Sequence, residues 1–422
     1  MFITLHYSVP YSILSVYSCA NNKTNKHNSK GNNTRQANQL SIQKSSPTPL
    51  IINQKTYPRT KLEALDAVVK DLETSVKKGI QIDTQTFCSI LESCYNLQGI
   101  DYVSRIHRLI PENLLRRNVG VSCKLIRMYA VSGLVDEAHQ VFDKMSQRDV
   151  YAFPWNALIS GYAELGYVRH ELLREALHVF RLMIKEAFEP DSVSLSTILA
   201  CALPKRVGAE IHGWVLRRGA ECNLSVANSL IVWYSNNNRL DRATWLFDQM
   251  SDRDVVSWNS IISAYGKHPD ALKYFKKMRS TDVCPDRVTF VSLLSTCAHL
   301  GMVKDGEMLF SMMRDKYRIT PIMEHYACMV NLYGRANLIN KAYDTIKNQM
   351  EFEPGPTVWG ALLYACYLHG NVDVGAIAAA NLFELESDNE HNFEILMNMY
   401  KNAGRLEDVQ RVKSMMEERG LD

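Results

Sequence analysis

Between Val255 and Asp286 the apolar side chains fall at helical spacing twice. Trp258, Ile261, Ile262 and Tyr265 make one stripe, Pro269 and Asp270 interrupt it, and Ala271, Leu272, Phe275 and Met278 make a second. Two amphipathic stripes parted by a breaker predict a helical hairpin, helix A followed by helix B. Ala271 and Phe275 lie four residues apart and so share a face, the small residue admitting a neighbouring helix and the ring filling the groove beside it. The same spacing recurs at Ala138 with Phe142, Ala176 with Phe180, and Ala243 with Phe247. The flanking sequence recurs as well. VFDKMSQRDV at 141–150 returns as LFDQMSDRDV at 246–255, and these lead into WNALISGY from Trp155 and WNSIISAY from Trp258. A single hairpin of roughly 35 residues cannot bury both of its faces, so it must stack on its neighbours. The prediction is an all-α solenoid with a concave surface.

Charge and cysteine content change this picture little. The 422 residues carry a formal net charge of +3, but no acid precedes Glu63, and the eight bases up to Lys61 leave 40 bases against 45 acids in the rest of the chain. A slightly acidic body argues against whole-surface attraction to a polyanion, so any nucleic-acid site must be a local groove. Residues 1–60 are rich in Asn, Ser, Thr and Lys and lack helical or strand periodicity, as expected of an organellar transit peptide or a disordered tail. The ten cysteines form no CxxC pair, and most sit inside apolar helical patterns, which fits buried thiols. No apolar run approaches the ~20 residues of a membrane-spanning helix. No membrane role is expected.

The Trp-Asn helix start, the Ala-to-Phe helix B and endings such as EAFEPD (186–191) and TDVCPD (281–286) resemble pentatricopeptide repeats. The resemblance implies a right-handed superhelix of helix-turn-helix units and extends to the plant subclass with alternating P, long and short repeats. On that pattern the segment 61–83 is a leading half-repeat or cap. Long-type 84–118, short-type 119–149, P-type 150–191, long-type 192–223, short-type 224–254 and P-type 255–286 come after it. A modified pair occupies 287–322 and 323–354, the second carrying EHYACMVNLYGRA from Glu324. Residues 355–422 resemble the two E motifs, with WGALLYACYLHGNVDVG from Trp359 in the first. The chain as a whole looks most like a chloroplast Organelle Transcript Processing factor. The 150–191 unit departs from the pattern, with extra residues at Phe153 and Pro154 and about five more before Ala176, as though its two helices came from different ancestral repeats. The 192–223 unit is about three residues short of its type.

Repeat proteins of this kind read about one RNA base per repeat with two or three side chains. The resemblance assigns that role to the residue after the Trp-like site of helix A and to the last residue of the repeat. These fall on Asn156 with Asp191, Asn228 with Asp254, and Asn259 with Asp286, a combination that in the family favours uracil over cytosine. Ser196 with Asn223 resembles a purine-reading pair, and Val256 with Val288 match the positions that sandwich a base. In its own terms an Asn amide offers a donor and an acceptor to a base edge, and a nearby Asp can orient it. The competing reading makes each Asn the N-cap of helix A. Trp155, Trp258 and Trp359 could stack on bases, but their repeat phase places them between hairpins, where packing is the expected role.

The chain lacks the His-x-Glu and Pro-Cys-x-x-Cys pair of a zinc deaminase, a phosphate-cradling Gly-rich loop and a nucleophile elbow. A non-enzymatic protein without cofactor or catalytic metal is expected. The resemblance implies a U-containing single-stranded organellar RNA as ligand and a role in group II intron splicing or cytidine-to-uridine editing. It also implies RNA-processing partners at the E-like region, with any deaminase supplied in trans, and a chloroplast location, or else a mitochondrial one. A protein-binding helical scaffold without RNA specificity is the alternative.

Overall fold

The computed structural model describes residues 61–97, 99–146, 151–166, 170–201 and 203–421. The transit-peptide segment and Asp149 lie outside them. The described residues are helical throughout, with no strand among them. They divide between Ile211 and His212 into two compact units.

The first unit opens with α1 (Lys61–Lys77), followed by α2 (Thr84–Asn96), α3 (Ile100–His107) and the short α4 (Glu112–Arg117). Two hairpins come next, α5 (Val119–Val131) with α6 (Val135–Lys144) and α7 (Phe153–Gly166) with α8 (His170–Lys185). Then come α9 (Ser192–Ala200) and α10 (Lys205–Arg217), whose last turn and a half belongs to the second unit. The second unit continues with α11 (Leu224–Asn236), α12 (Leu240–Gln249), α13 (Val255–Ala264), α14 (Asp270–Met278), α15 (Arg287–Leu300) and α16 (Val303–Asp315). It ends with α17 (Met323–Arg335), α18 (Ile339–Asp344), α19 (Pro356–His369), α20 (Val372–Leu385), α21 (Glu390–Asn402) and α22 (Leu406–Glu418).

Within each unit successive A helices lie side by side: α5 packs on α7, α11 on α13, α13 on α15, α15 on α17 and α17 on α19. Some of these approaches leave no room for a side chain. A Cβ on Gly161 of α7 would stand 2.3 Å from Cβ of Ala130 in α5, and one on Gly334 of α17 would stand 2.5 Å from Cβ of Ala365 in α19. All four Ala-to-Phe pairs of the B helices are buried. The Phe rings of two of them meet the Trp of the next helix A edge to face, Phe142 on Trp155 at 4.7 Å and Phe247 on Trp258 at 4.9 Å between ring centroids. Phe275 on Phe290 and Phe310 on Tyr326 repeat this joint at 5.8 and 5.5 Å. Trp155, Trp258 and Trp359 are thus core side chains, at most 4% exposed, and carry no stacking surface for a base.

A polar joint runs beside the aromatic one. His107 Nδ1 lies 2.8 Å from Tyr129 Oη, and His212 Nδ1 lies 2.6 Å from Tyr234 Oη, each pair linking a helix B to the following helix A. The described extra residues of the 150–191 segment are helical. Phe153 and Pro154 begin α7, a first-turn position that tolerates proline. The other addition lengthens α8 to 16 residues, against 9 for α14. Two short elements add to the hairpins: α4 fills the end of the 84–118 segment, and a 3-10 turn at Ala220–Cys222 occupies the same place in 192–223. Both precede an Asn N-cap, Asn118 on α5 and Asn223 on α11.

The nine described cysteines are free. Burial pushes the thiols of Cys94 and Cys297 up to about 11 and those of Cys123, Cys201, Cys328 and Cys366 up to about 12, so they pack as inert apolar groups. No helix among the described residues is long and apolar enough to cross a membrane.

Two outcomes test this packing. Phe247→Ala removes a ring from a buried joint and is expected to cost about 3–5 kcal/mol. Phe153→Ala, at a residue 66% exposed, should stay within about 0.5 kcal/mol in the same urea titration. Burial lowers the pKa of His107, His212 and His325. The unfolded chain, titrating near ~6.5, then binds protons that the folded chain refuses. Stability is therefore full above that value and is lost as pH falls below it toward the folded values, by at most about 1.4 kcal/mol per pH unit for each buried imidazole. Thermal unfolding at pH 7.5 and 5.5 reads this directly, and an unchanged midpoint would contradict it.

Candidate nucleic-acid interface

Asp191, Asp254 and Asp286 each do two jobs. Asp254 is the N-cap of α13, its Oδ1 accepting from the Ser257 amide at 2.8 Å while the Ser257 hydroxyl accepts from the Asp254 amide, a closed capping box. Asp286 caps α15 in the same way through Thr289, and Asp191 caps α9 through the amides of Val193 and Ser194. These caps satisfy amides that an α-helix leaves unpaired at its start.

The same carboxylates reach back to the preceding helix A. Asn156 Nδ2 donates to both oxygens of Asp191, at 3.1 and 2.9 Å. Asn259 Nδ2 donates to Asp286 Oδ1 at 3.0 Å, and Asn228 Nδ2 to Asp254 Oδ1 at 3.4 Å. All three predicted Asn–Asp pairs are brought together. The Asn residues lie inside α7, α11 and α13 and cap nothing, so the capping alternative fails for them; at these three joints the cap is the Asp. Sequence reasoning divided capping and reading between rival assignments, whereas one carboxylate carries the cap and the contact to the Asn.

The bond to a carboxylate fixes which way each amide faces, because an ionised Asp only accepts and the NH2 group must point at it. The carbonyl oxygen is then turned away. Oδ1 of Asn156 and Oδ1 of Asn228 are buried and have no hydrogen-bond partner. The Asn side chains are 7%, 2% and 6% exposed at 156, 228 and 259, while Asp191, Asp254, Asp286, Val256 and Val288 are half-buried. Val256 and Val288 sit in the first turns of α13 and α15, close in sequence to the caps Asp254 and Asp286.

The remaining assigned residues are built differently. Ser196 is buried in α9, its hydroxyl donating back to the Val193 carbonyl at 3.2 Å. Asn223 is exposed and spends its Oδ1 on the amides of Ser225 and Val226 as the cap of α11. His325 is buried, with its ring nitrogens taken by the Ile322 amide and the Arg287 carbonyl, a packed residue that holds the start of α17. Among the described residues no group of three His, Cys, Asp or Glu side chains could hold a metal ion.

The chain matches the PPR repeat over residues 124–150, 153–169, 165–188, 225–255 and 288–317, the PPR repeat family over 253–299 and the E motif over 369–422. The irregular unit is matched in two overlapping pieces. The chain is 46% identical to pentatricopeptide repeat-containing protein At4g25270, chloroplastic, from Arabidopsis thaliana, with 91% of each chain covered. That alignment runs over 480 residues, more than the 422 present here, so the relative carries sequence without a counterpart in this chain. Pentatricopeptide repeat-containing protein CRR2, chloroplastic, from the same plant is 39% identical over 81% of this chain, which spans only 53% of it. Among solved structures, PPR10 in complex with an 18-nt psaJ RNA element superposes with a TM-score of 0.54 at 18% identity, covering 86% of this chain and 58% of PPR10, a likeness of fold. With stacked helical hairpins, repeat matches along the array and a relative of this identity and coverage, the chain belongs to the pentatricopeptide repeat proteins, of the kind that carry an E motif.

Proposed function

We propose that this protein binds a U-containing single-stranded organellar RNA, reading it with Asn156 and Asp191, Asn228 and Asp254, and Asn259 and Asp286. Ser196 with Asn223 reads a purine, and Val256 with Val288 flank the base at Asn259. The observation that carries this reading is the fixed orientation of the three amides. With Nδ2 committed to a carboxylate, Oδ1 of Asn259 lies 2.6 Å from the Thr289 hydroxyl, while Oδ1 of Asn156 and of Asn228 is a buried acceptor left without a partner. Uracil presents an N–H at N3 and can donate to that oxygen, whereas cytosine presents a bare N3 that it repels. Two of the three oxygens stand unpaired within the protein, and a donor from the ligand supplies what the fold leaves out.

The E-like region is proposed to hold a protein partner. Tyr364, Tyr367 and Leu368 of α19 stand at helical spacing and are exposed, an apolar stripe on the second-to-last hairpin. A deaminase supplied in trans and other RNA-processing proteins are the partners this reading names. The protein acts in the chloroplast, in group II intron splicing or in recognition of a cytidine-to-uridine editing site. The acid-free N-terminal segment and the chloroplastic relatives support the location. The array is also proposed to be a shortened one. Its 150–191 unit joins halves of two repeats, which accords with the two-piece match and the longer relative.

Four measurements test the reading. Gel shifts with U-containing single-stranded RNA should weaken as salt rises, as phosphate contacts require. Replacing Asn259 and Asp286 together should change base preference at one RNA position, and an equal loss of affinity for all sequences would overturn the assignment. Asp286→Ala should lose about 1 kcal/mol of stability with its cap, while Asp286→Ser keeps the cap and should lose base selectivity at that position alone. RNA sequencing of a knockout plant separates the two processes: retained introns mark splicing, and unconverted cytidines with normal introns mark editing.

A further inference from the structure

The adjacent sites at Asn228 and Asn259 differ in one atom. The third helical residue of α13 is Ser257, and its hydroxyl donates to the capping carboxylate, Asp254 Oδ1, at 2.8 Å. Asn228 Oδ1 receives nothing. The third helical residue of α15 is Thr289. Its hydroxyl lies 2.6 Å from Asn259 Oδ1, 2.9 Å from Asp286 Oδ1 and 3.1 Å from the Asp286 amide nitrogen. The amide N–H fills one lone pair of the hydroxyl, and the single hydroxyl proton has two acceptors, the nearer being the Asn carbonyl. Asp286 Oδ1 also accepts from the Thr289 amide at 2.9 Å and from Asn259 Nδ2 at 3.0 Å. At Ser194, the equivalent residue after Asp191, the hydroxyl again faces the carboxylate, at 2.9 Å, and Asn156 Oδ1 is again unpaired.

We infer that the third residue of the following helix A sets how strictly each Asn discriminates between pyrimidines, and that Thr289 makes the Asn259 site the permissive one. This rests on the base-reading role proposed above. At Asn228 the oxygen is a buried acceptor without a partner, and a base that reaches it is rewarded for the N3–H of uracil and penalised for the lone pair of cytosine N3. At Asn259 the oxygen is already satisfied, so uracil gains less by donating to it. The second N–H of Asn259 Nδ2 remains a donor that cytosine N3 or a uracil carbonyl oxygen can accept equally well. Thr289 acts through Asn259 and is a positioning residue, while Ser257 leaves Asn228 strict. The β-branch of Thr restricts its χ1 and so holds the hydroxyl in place, where Ser is freer to turn to the carboxylate.

The test is a reciprocal exchange, Thr289→Ser and Ser257→Thr, each keeping a hydroxyl for the capping box, made in the full chain and checked for unchanged thermal unfolding. Binding is read by sequencing the RNAs retained from a randomised single-stranded pool, followed by titration of single U-to-C variants of the selected RNA. The unaltered protein should select two neighbouring positions, one held to U and one accepting U and C. Thr289→Ser should sharpen the second by roughly threefold to tenfold in the U-to-C affinity ratio, and Ser257→Thr should relax the first by a similar factor, with other positions unmoved. Thr289→Val, which removes the hydroxyl and with it one bond of the capping box, should sharpen the same position despite lower stability. If the unaltered protein selects U at neighbouring positions but the exchanges leave both ratios unchanged, the role of Thr289 is refuted. If it selects no U at either position, the base-reading assignment itself has failed.

Discussion

The carboxylates of Asp191, Asp254 and Asp286 are each asked to satisfy two neighbours at once. Asp254 and Asp286 close capping boxes on α13 and α15, which those helices need because their first amides have no intrahelical partner. They also accept from Asn228 and Asn259 on the helix before. The start of one helix and the side-chain geometry of the previous one are therefore fixed by the same two oxygens. Everything proposed about base recognition depends on this shared bond, since an amide not held by an acceptor-only partner would turn and lose its preference.

The aromatic joints make that bond reproducible along the chain. The edge-to-face contacts of Phe142 with Trp155 and Phe247 with Trp258 set how one hairpin sits on the next, and the glycines at 161 and 334 let A helices approach to backbone distance. With helix A beside helix A, an Asn on one and the cap of the next come within hydrogen-bonding reach without any long side chain. Rigid packing here takes the place of the loops on which many binding sites are built.

Much of this was legible in the sequence because it is written in periodic form. The stripes through Trp258, Ile261 and Ile262 and through Ala271 and Phe275 specify two helices and their buried faces with no outside information. The pairing of Asn259 with Asp286, 27 residues apart, was legible only through likeness to a family, since no local rule joins residues at that separation. Two things were not legible. The helix at Glu112–Arg117 has six residues, too few for a periodic signal. The difference between Ser257 and Thr289 is a choice of hydroxyl direction, and composition and spacing treat those residues as equivalent.

In the irregular 150–191 segment Asn156 and Asp191 flank a stretch that matches the repeat in two overlapping pieces. Its two family matches overlap at 165–169, between the helix that carries Asn156 and the end that carries Asp191. The amide and the carboxylate nevertheless hold each other through both carboxylate oxygens. The joint is therefore held by side chains at the two ends of the segment and not by the length of chain between them.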